Sequence, residues 1–455
     1  MTEAGPLSLG QLSVWHDIRD LPPARRHEPN NAAVWALPPG VGVEAVRAAV
    51  HTLALRHPSL RTRYDVNDPD NPRQLSPDDG VHASVDLTDG SDGGAERAEE
   101  TALALAARPF DLGREHGWRA RLLTRGGAPS HLLFVKHHIV ADAWAQEQLH
   151  QELLRELTAP GRLGPPPHGP ADLAADQYGP AGQRRQLAAL AHWEHVLSRA
   201  PSAGLPRDAD APGTVLQATL RSAPARTAAR AIAAREGVSV AGVVLAAFAG
   251  AVARRCDVGD TVMGSASGSS GSGSGSGNGN GNGNGNGNGN GNRLMVQLMS
   301  ANRFTARWRD VVTSMNQWVP ALIEHTDSAF ADLARAAHWS ALAAFRHGVH
   351  DVRAVAALRA RVPHVPEPAC AFNFVAVPPG AGGTAGGGAA TGPEGEATLV
   401  WEEPFTTIGP RCYARAVEDE HALSVRLTAK DLRRETCAAL LGDLHETLLT
   451  AAGRV

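Results

Sequence analysis

The sequence predicts an α/β fold, an α+β sandwich in which sheets are backed by helices, and three observations lead there. At 455 residues the chain exceeds what one core normally holds, with a prior of roughly 150 residues per domain, so two lobes are expected. Apolar residues recur at helical spacing in some stretches and alternate in others. These two kinds of stretch are interleaved along the chain instead of segregated, which predicts mixed layers.

Val43, Val46, Val50 and Leu53 mark a helix that His57-Pro58 stops, because a residue preceding proline is driven out of the helical region. A short strand is expected over Leu60 to Tyr64. Leu132 to Val140 is an apolar, β-branched run of strand length, and it leads through Ala141 to Asp142, placed to cap a helix carrying Trp144, Leu149 and Leu153. Residues 160 to 172 are rich in Pro and Gly, Leu187, Leu190, Trp193 and Leu197 mark another helix, and proline returns at 201 to 212. A lobe boundary near residue 180 follows, giving an N-terminal lobe 1–180 and a C-terminal lobe 181–455.

The second half repeats the alternation. Helices are expected at 224 to 236, 239 to 255 and around 328 to 360, with strands at Leu294 to Ser300, Cys370 to Val377 and Leu399 to Glu402. Leu423, Val425 and Leu427 alternate as in a half-buried strand, and Leu440, Leu441, Leu444 and Leu448 stripe a closing helix. Ser265 to Asn292 is almost pure Gly-Ser and then Gly-Asn, with no apolar surface to offset the entropy of ordering, so a disordered insert is expected there. The glycine-rich stretch Pro378 to Gly395 reads the same way.

Composition excludes several classes. A formal charge of -4 supplies no basic field for a phosphate backbone, so no nucleic-acid partner is expected. Cys256, Cys370, Cys412 and Cys437 lie far apart and form no C-x-x-C pair, which argues against zinc spacing or a disulfide framework and fits a reducing cytoplasm. The N-terminus lacks a basic segment followed by an apolar one, so no secretory signal is read. The most apolar run, Val238 to Ala253, is shorter than the roughly 20 residues a bilayer crossing needs and reads as a buried helix, so no membrane partner is expected.

The chemistry centres on His137-His138-Ile139-Val140-Ala141-Asp142. Adjacent strand residues point to opposite faces, so the two rings cannot share one task. His137 shares its face with Leu133 and Val135, whereas His138 lies with Phe134 and Lys136 and is the better catalytic candidate. Taken alone, a histidine at a strand end is more often a satisfied core or surface residue. Two adjacent histidines with one aspartate also lack the i, i+4 spacing of a helical metal site, so no metal is expected. Asp142 reads as architectural, held by backbone N–H groups or an arginine. Lys136 either depresses the His138 pKa by like charge, contacts a phosphate or carboxylate of a substrate, or, as is commoner, snorkels to solvent.

The run H-H-x-x-x-D followed by a small residue and Trp144 resembles the HHxxxDG signature of condensation domains of nonribosomal peptide synthetases. Ser8-Leu9-Gly10-Gln11 with Trp15 is similar to that family's N-terminal motif, and Arg56-His57-Pro58-Ser59-Leu60-Arg61-Thr62 to its RHxxLRT motif. His192-Trp193 with Leu205-Pro206 and Asp208, and Asn302-Arg303 after a strand, resemble further family motifs in the family's order, so the resemblance covers nearly the whole chain.

The resemblance implies two chloramphenicol-acetyltransferase-like lobes arranged in a V with a central tunnel. Peptidyl or acyl carrier proteins would bring thioesters on phosphopantetheine arms, and an amine or hydroxyl acceptor would attack the donor, with no bound cofactor. By position, His138 is the histidine that deprotonates or positions the nucleophile, His137 supports it, and Asp142 and Arg61 form the structural salt bridge. Trp144 is a candidate substrate contact, and backbone N–H groups after Asp142 are candidate oxyanion donors.

Two departures qualify this. The motif glycine is Ala143, followed by Ala145 where serine is common, and the added methyl either narrows the tunnel or lies harmlessly if the backbone needs no positive φ. The second-lobe motif is altered to Val312-Thr313-Ser314-Met315-Asn316-Gln317, which suggests a specialised or free-standing member, as does the lack of room for adenylation or carrier domains. The expected function is a cytoplasmic condensation-type acyltransferase of natural-product biosynthesis forming an amide or ester. An epimerase, a noncatalytic recruitment domain and a related acyltransferase using coenzyme A or a polyketide acyl group are the alternatives.

Overall fold

The computed structural model describes residues 4–77, 85–89, 94–201, 204–263, 293–362, 367–377 and 397–453. The expected insert at 265–292 and the glycine-rich stretch 378–395 lie outside the described residues.

The first half contains β1 (Ala4–Pro6), α1 (Leu9–Ile18), β2 (Asn30–Ala36), α2 (Val43–Arg56), β3 (Tyr64–Asp65), β4 (Arg73–Leu75), β5 (Val85–Asp89), α3 (Gly94–Ala106), β6 (Trp118–Arg125), β7 (Ala128–His137), α4 (Ala143–Thr158) and α5 (Pro170–Tyr178). There follow α6 (Pro180–Arg199), β8 (Val215–Ser222), α7 (Ala223–Glu236), α8 (Val240–Met263), β9 (Arg293–Ser300), α9 (Ala306–Arg309) and β10 (Gln317–Glu324). The chain closes with α10 (Phe330–Phe345), α11 (Val352–Arg359), β11 (Cys370–Ala376), β12 (Thr398–Glu402), β13 (Cys412–Glu418), β14 (Leu423–Lys430) and α12 (Arg434–Ala452).

A four-stranded sheet in the order β2-β7-β6-β5 places β7 between two antiparallel neighbours. The β6–β7 hairpin turns on Gly126 and Gly127 at φ +57° and +80°, which suits the two left-handed positions of a tight turn matched to strand twist. Both faces of β7 are covered. Leu133 packs with Ala98 and Ala102 of α3, while Leu132 and Phe134 share a core with Val50 and Leu53 of α2 and Leu149 and Leu153 of α4. That double coverage explains why the strand is apolar at successive positions.

A second sheet runs β10-β9-β11-β13-β14-β8-β12, with α7, α8, α10 and α12 contributing to its core. Val243 to Val252 of α8 is buried, as the apolar run implied. No single helix among the described residues is long and apolar enough to cross a membrane, and α7 with α8 as far as Cys256 passes only as a pair bent by 109°. A small sheet, β1-β4-β3, completes the first half. The two halves meet at the segment after α9, where Val312 joins the core of α2 and α4.

Two elements depart from expectation. The strand expected over Leu132 to Val140 runs from Ala128 to His137, with residues 138–140 in a turn. Leu60 to Tyr64 is not a strand: Pro58–Arg61 forms a 3-10 turn, and only Tyr64–Asp65 pairs, as β3. Proline presets the φ of a first helical position, and the Ser59, Leu60 and Arg61 that follow do not oppose the turn.

Candidate active site

The chain leaves β7 at His137 and turns through His138, Ile139 and Val140 before α4 begins at Ala143. Several contacts fix this turn. The His138 N–H donates to the Pro29 carbonyl at 2.9 Å, and the Ser59 hydroxyl donates to the Val140 carbonyl at 2.6 Å. Gly117 lies so close that an added Cβ would sit 2.6 Å from a Val140 methyl.

The two histidines differ in setting, His137 closing β7 and His138 opening the turn, so strand alternation does not place the second ring. His137 is buried, its Nδ1 accepts from the Ile139 N–H at 3.1 Å, and Phe110 meets its ring edge-on. Burial, with His138 and Lys136 nearby, pushes its pKa down to about 3, so it is neutral. His138 is half-buried, and its Nδ1 lies 3.2 Å from the Ser314 Oγ. Among the described residues its Nε2 has no hydrogen-bond partner. Burial first, and then the Lys136 charge, lower the His138 pKa to about 4, against the raising influence of its own carbonyl and of Asp142. At neutral pH the imidazole therefore carries an unprotonated nitrogen.

Lys136 does not snorkel to solvent. It is 1% exposed, and its Nζ donates to Asn31 Oδ1 at 2.8 Å and to the Ala141 carbonyl at 2.5 Å. The reason is that the sheet is covered on the face where a solvent edge was expected. Burial lowers the Lys136 pKa to about 7, with Asp142 opposing.

Asp142 caps α4, accepting from the Ala145 N–H at 2.9 Å. The same carboxylate accepts from the Met315 N–H at 3.0 Å and from Arg303 Nη2 at 2.9 and 3.1 Å. Its pKa is held below the usual carboxylate value because Arg303 and the Ala145 and Met315 N–H groups outweigh the desolvation of burial. The arginine of this buried pair is therefore Arg303 and not the expected Arg61, whose Nε and Nη2 donate to the carbonyls of Ala54 and Leu55 at the end of α2. Arg303 also donates to the carbonyls of Val311 and Thr313, tying β9's end to the 311–315 segment.

Ala143 is the exposed first residue of α4, and no positive φ occurs there, so the methyl in place of the motif glycine strains nothing. Trp144 follows, 50% exposed.

Three residues with a place in this geometry were not assigned one from sequence: Arg303, Ser314 and Asn316. Asn302 adopts φ +55° and donates to the carbonyls of Met315 and Gly348, which aims the next residue, Arg303, at Asp142. The Asn302-Arg303 pair and the altered motif around Ser314 were visible signals without a location.

The family model for the condensation domain matches residues 23–269. The chain is 33% identical over 254 residues to malpibaldin synthetase of Mortierella alpina, covering 50% of this chain and 4% of that protein. It is 32% identical over 224 residues to a probable non-canonical nonribosomal peptide synthetase, CymA, of Salinispora arenicola, covering 49% and 3%. The chain thus spans only a few per cent of these synthetases' length.

Among solved structures, the condensation domain studied for chain release from the enacyloxin polyketide synthase superposes with a TM-score of 0.73 at 20% identity, covering 100% of this chain and 83% of that one. SgcC5 from Streptomyces globisporus gives 0.70 at 20% identity, covering 99% of each chain. The epimerization domain from the third module of tyrocidine synthetase B gives 0.71 at 14% identity, with 99% and 98% covered. The fold is therefore the chloramphenicol-acetyltransferase-like fold of condensation domains, and the chain belongs to the condensation-domain family.

Proposed function

We propose that the chain transfers an acyl or aminoacyl group from a carrier-protein thioester to an amine or hydroxyl acceptor, with His138 as the base. The observation that carries this reading is the half-buried His138 imidazole, neutral at physiological pH and left with an unpartnered Nε2. In the step we envisage, Nε2 takes the proton of the attacking amine or hydroxyl as the nucleophile bonds to the thioester carbon. The C–S bond then breaks, and the proton passes to the departing thiolate. An α-amine near pKa 7.7 to 8.0 gives up its proton readily only as attack develops, and a neutral imidazole can accept it then.

The first N–H groups of α4, those of Ala143 and Trp144, are unused within the helix and stand where the chain turns away from His138, which suits them to the developing oxyanion. Trp144 offers an exposed aromatic face to a bound substrate. His137 and Asp142 hold the turn and do no chemistry.

In this reading residues 1–180 and 181–455 form the arms of a V, and the two substrates reach His138 from opposite mouths of a tunnel between them. The phosphopantetheine arm of a carrier protein is part of the substrate, and the protein works in the cytoplasm beside its carriers. The test is intact-mass analysis of carrier proteins loaded with candidate acyl groups and incubated with the protein and free amines or alcohols. Discharge of the carrier with formation of amide or ester supports the proposal. Deuterium uptake at Cα of a tethered aminoacyl group without an acceptor would assign the chain to epimerisation instead, and turnover of soluble thioesters alone would remove the carrier protein.

A further inference from the structure

Ser314 and Asn316 lie 176 and 178 positions beyond the histidine they face, and their side chains form a short chain of hydrogen bonds ending on it. The Asn316 amide nitrogen donates to the Met299 sulfur at 3.3 Å, which turns the amide oxygen toward Ser314. The Ser314 hydroxyl donates to that oxygen at 3.1 Å. A hydroxyl has one proton to give, so only lone pairs remain on the side facing His138 Nδ1, 3.2 Å away. An acceptor in that place requires the ring hydrogen to sit on Nδ1.

The serine itself is fully buried and cannot drift. On one side of it the Thr313 carbonyl is held by Arg303, and on the other the Met315 N–H is held by Asp142. From above, α1 presses on the same backbone through Gly10, where an added Cβ would come within 2.3 Å of the Ser314 carbonyl oxygen and 2.6 Å of the Met315 Cα.

Resting on the reading of His138 as base, we infer that Ser314 and Asn316 are positioning residues that fix the imidazole tautomer with hydrogen on Nδ1 and the basic lone pair on Nε2. The Asp142–Arg303 pair then serves the reaction at one remove, by holding the backbone that carries Ser314. This places a specificity of protonation in the altered second-lobe segment Val312 to Gln317, in the half of the sequence that carries no histidine of the motif.

The experiment is long-range 1H–15N correlation of the full chain labelled at histidine, recorded near neutral pH, with the His138 signals identified as those missing from H138Q. The wild-type ring is expected to show a protonated Nδ1 and a bare Nε2. S314A and N316A are expected to give a mixture of tautomers, and S314T to restore the single form. In turnover with a carrier-bound thioester, S314A is expected to lower kcat by on the order of tenfold to a hundredfold with little change in KM, part of the roughly 10²–10⁴-fold a general base contributes.

A wild-type ring protonated on Nε2 overturns the inference, as does an S314A variant with unchanged tautomer and kcat. Should S314A fail to fold, the wild-type spectrum and N316A still decide. An H138A variant with wild-type rate sinks the underlying reading of His138 as base. An inactive H138A beside a fully active S314A with unchanged tautomer sinks only the role given to Ser314.

Discussion

His138 and its neighbours show what a single sequence can carry at the level of residues. Asp142 was legible as a cap because capping is a local rule, whereas His138 lies beyond the end of β7, where strand alternation no longer places a side chain. Arg303 was not legible, since its partner lies 161 positions away and nothing in one sequence pairs them. The like-charge effect of Lys136 on His138 was legible, but the burial of Lys136 was not. Its alternation was read correctly, but whether a strand face meets solvent or a helix is decided by packing elsewhere.

The Asp142–Arg303 pair invites a direct test of the correction. Removing one partner of a buried pair leaves the other charge uncompensated, at a cost of about 3–5 kcal/mol. R303A should therefore lower the unfolding free energy in urea by about that amount, and R61A by less, because Arg303 and not Arg61 is the partner of the buried Asp142 carboxylate. Equal losses in the two variants would contradict the assignment of Arg303 as the partner.

Among the elements, α1 and the segment after α9 are the pair on which the site depends. Gly10 is buried in α1, and its lack of a side chain lets the helix approach the 314–315 backbone. G10A should push that backbone away at a cost of about 1–3 kcal/mol, as overpacking in a filled interior usually does. Activity should fall further than stability, since Ser314 moves with the segment. A melting curve beside a turnover assay checks this, and a G10A protein with wild-type kcat would show that the segment tolerates displacement. The Ser8-to-Gln11 motif thus acquires a physical purpose: it caps α1 with a reciprocal box, Gln11 reaches the buried Tyr64 hydroxyl, and the helix is held against the site.

Most elements were legible from periodicity and punctuation, as α2, β7, α4, α7, β9, β14 and α12 show. The failure at Leu60 to Tyr64 came from reading an apolar-containing run after proline as extended, when proline favours a turn.

For the whole molecule, the expectation of interleaved elements giving layered sheets and helices corresponds to two main sheets built from successive parts of the chain. The pairing order of the seven-stranded sheet was not readable, because its neighbours are drawn from residues 215 to 430 by packing and not by proximity in sequence. Burial of histidines adds a global property. The pKa values of His137, His138 and His350 are pushed down to about 3, 4 and 4, chiefly by burial, whereas in an unfolded chain they titrate near 6.5.

Between those values the unfolded chain binds protons that the folded one refuses. The stability they contribute is therefore complete above about pH 6.5 and is lost as pH falls toward about 4. The urea midpoint should drop from about pH 7 to about pH 5, and H350Q should flatten that dependence. A midpoint independent of pH over this range would show that these rings are not held neutral.

The claim on which the account turns is that a neutral His138 accepts the proton of the nucleophile. Its most direct test is single-turnover acyl transfer from a loaded carrier protein by wild type and H138A, compared across pH in proteins of matched melting temperature. The account predicts a rate that is lost by about 10²–10⁴-fold in H138A at every pH above about 4, where the wild-type ring is neutral. A wild-type rate in H138A would contradict it.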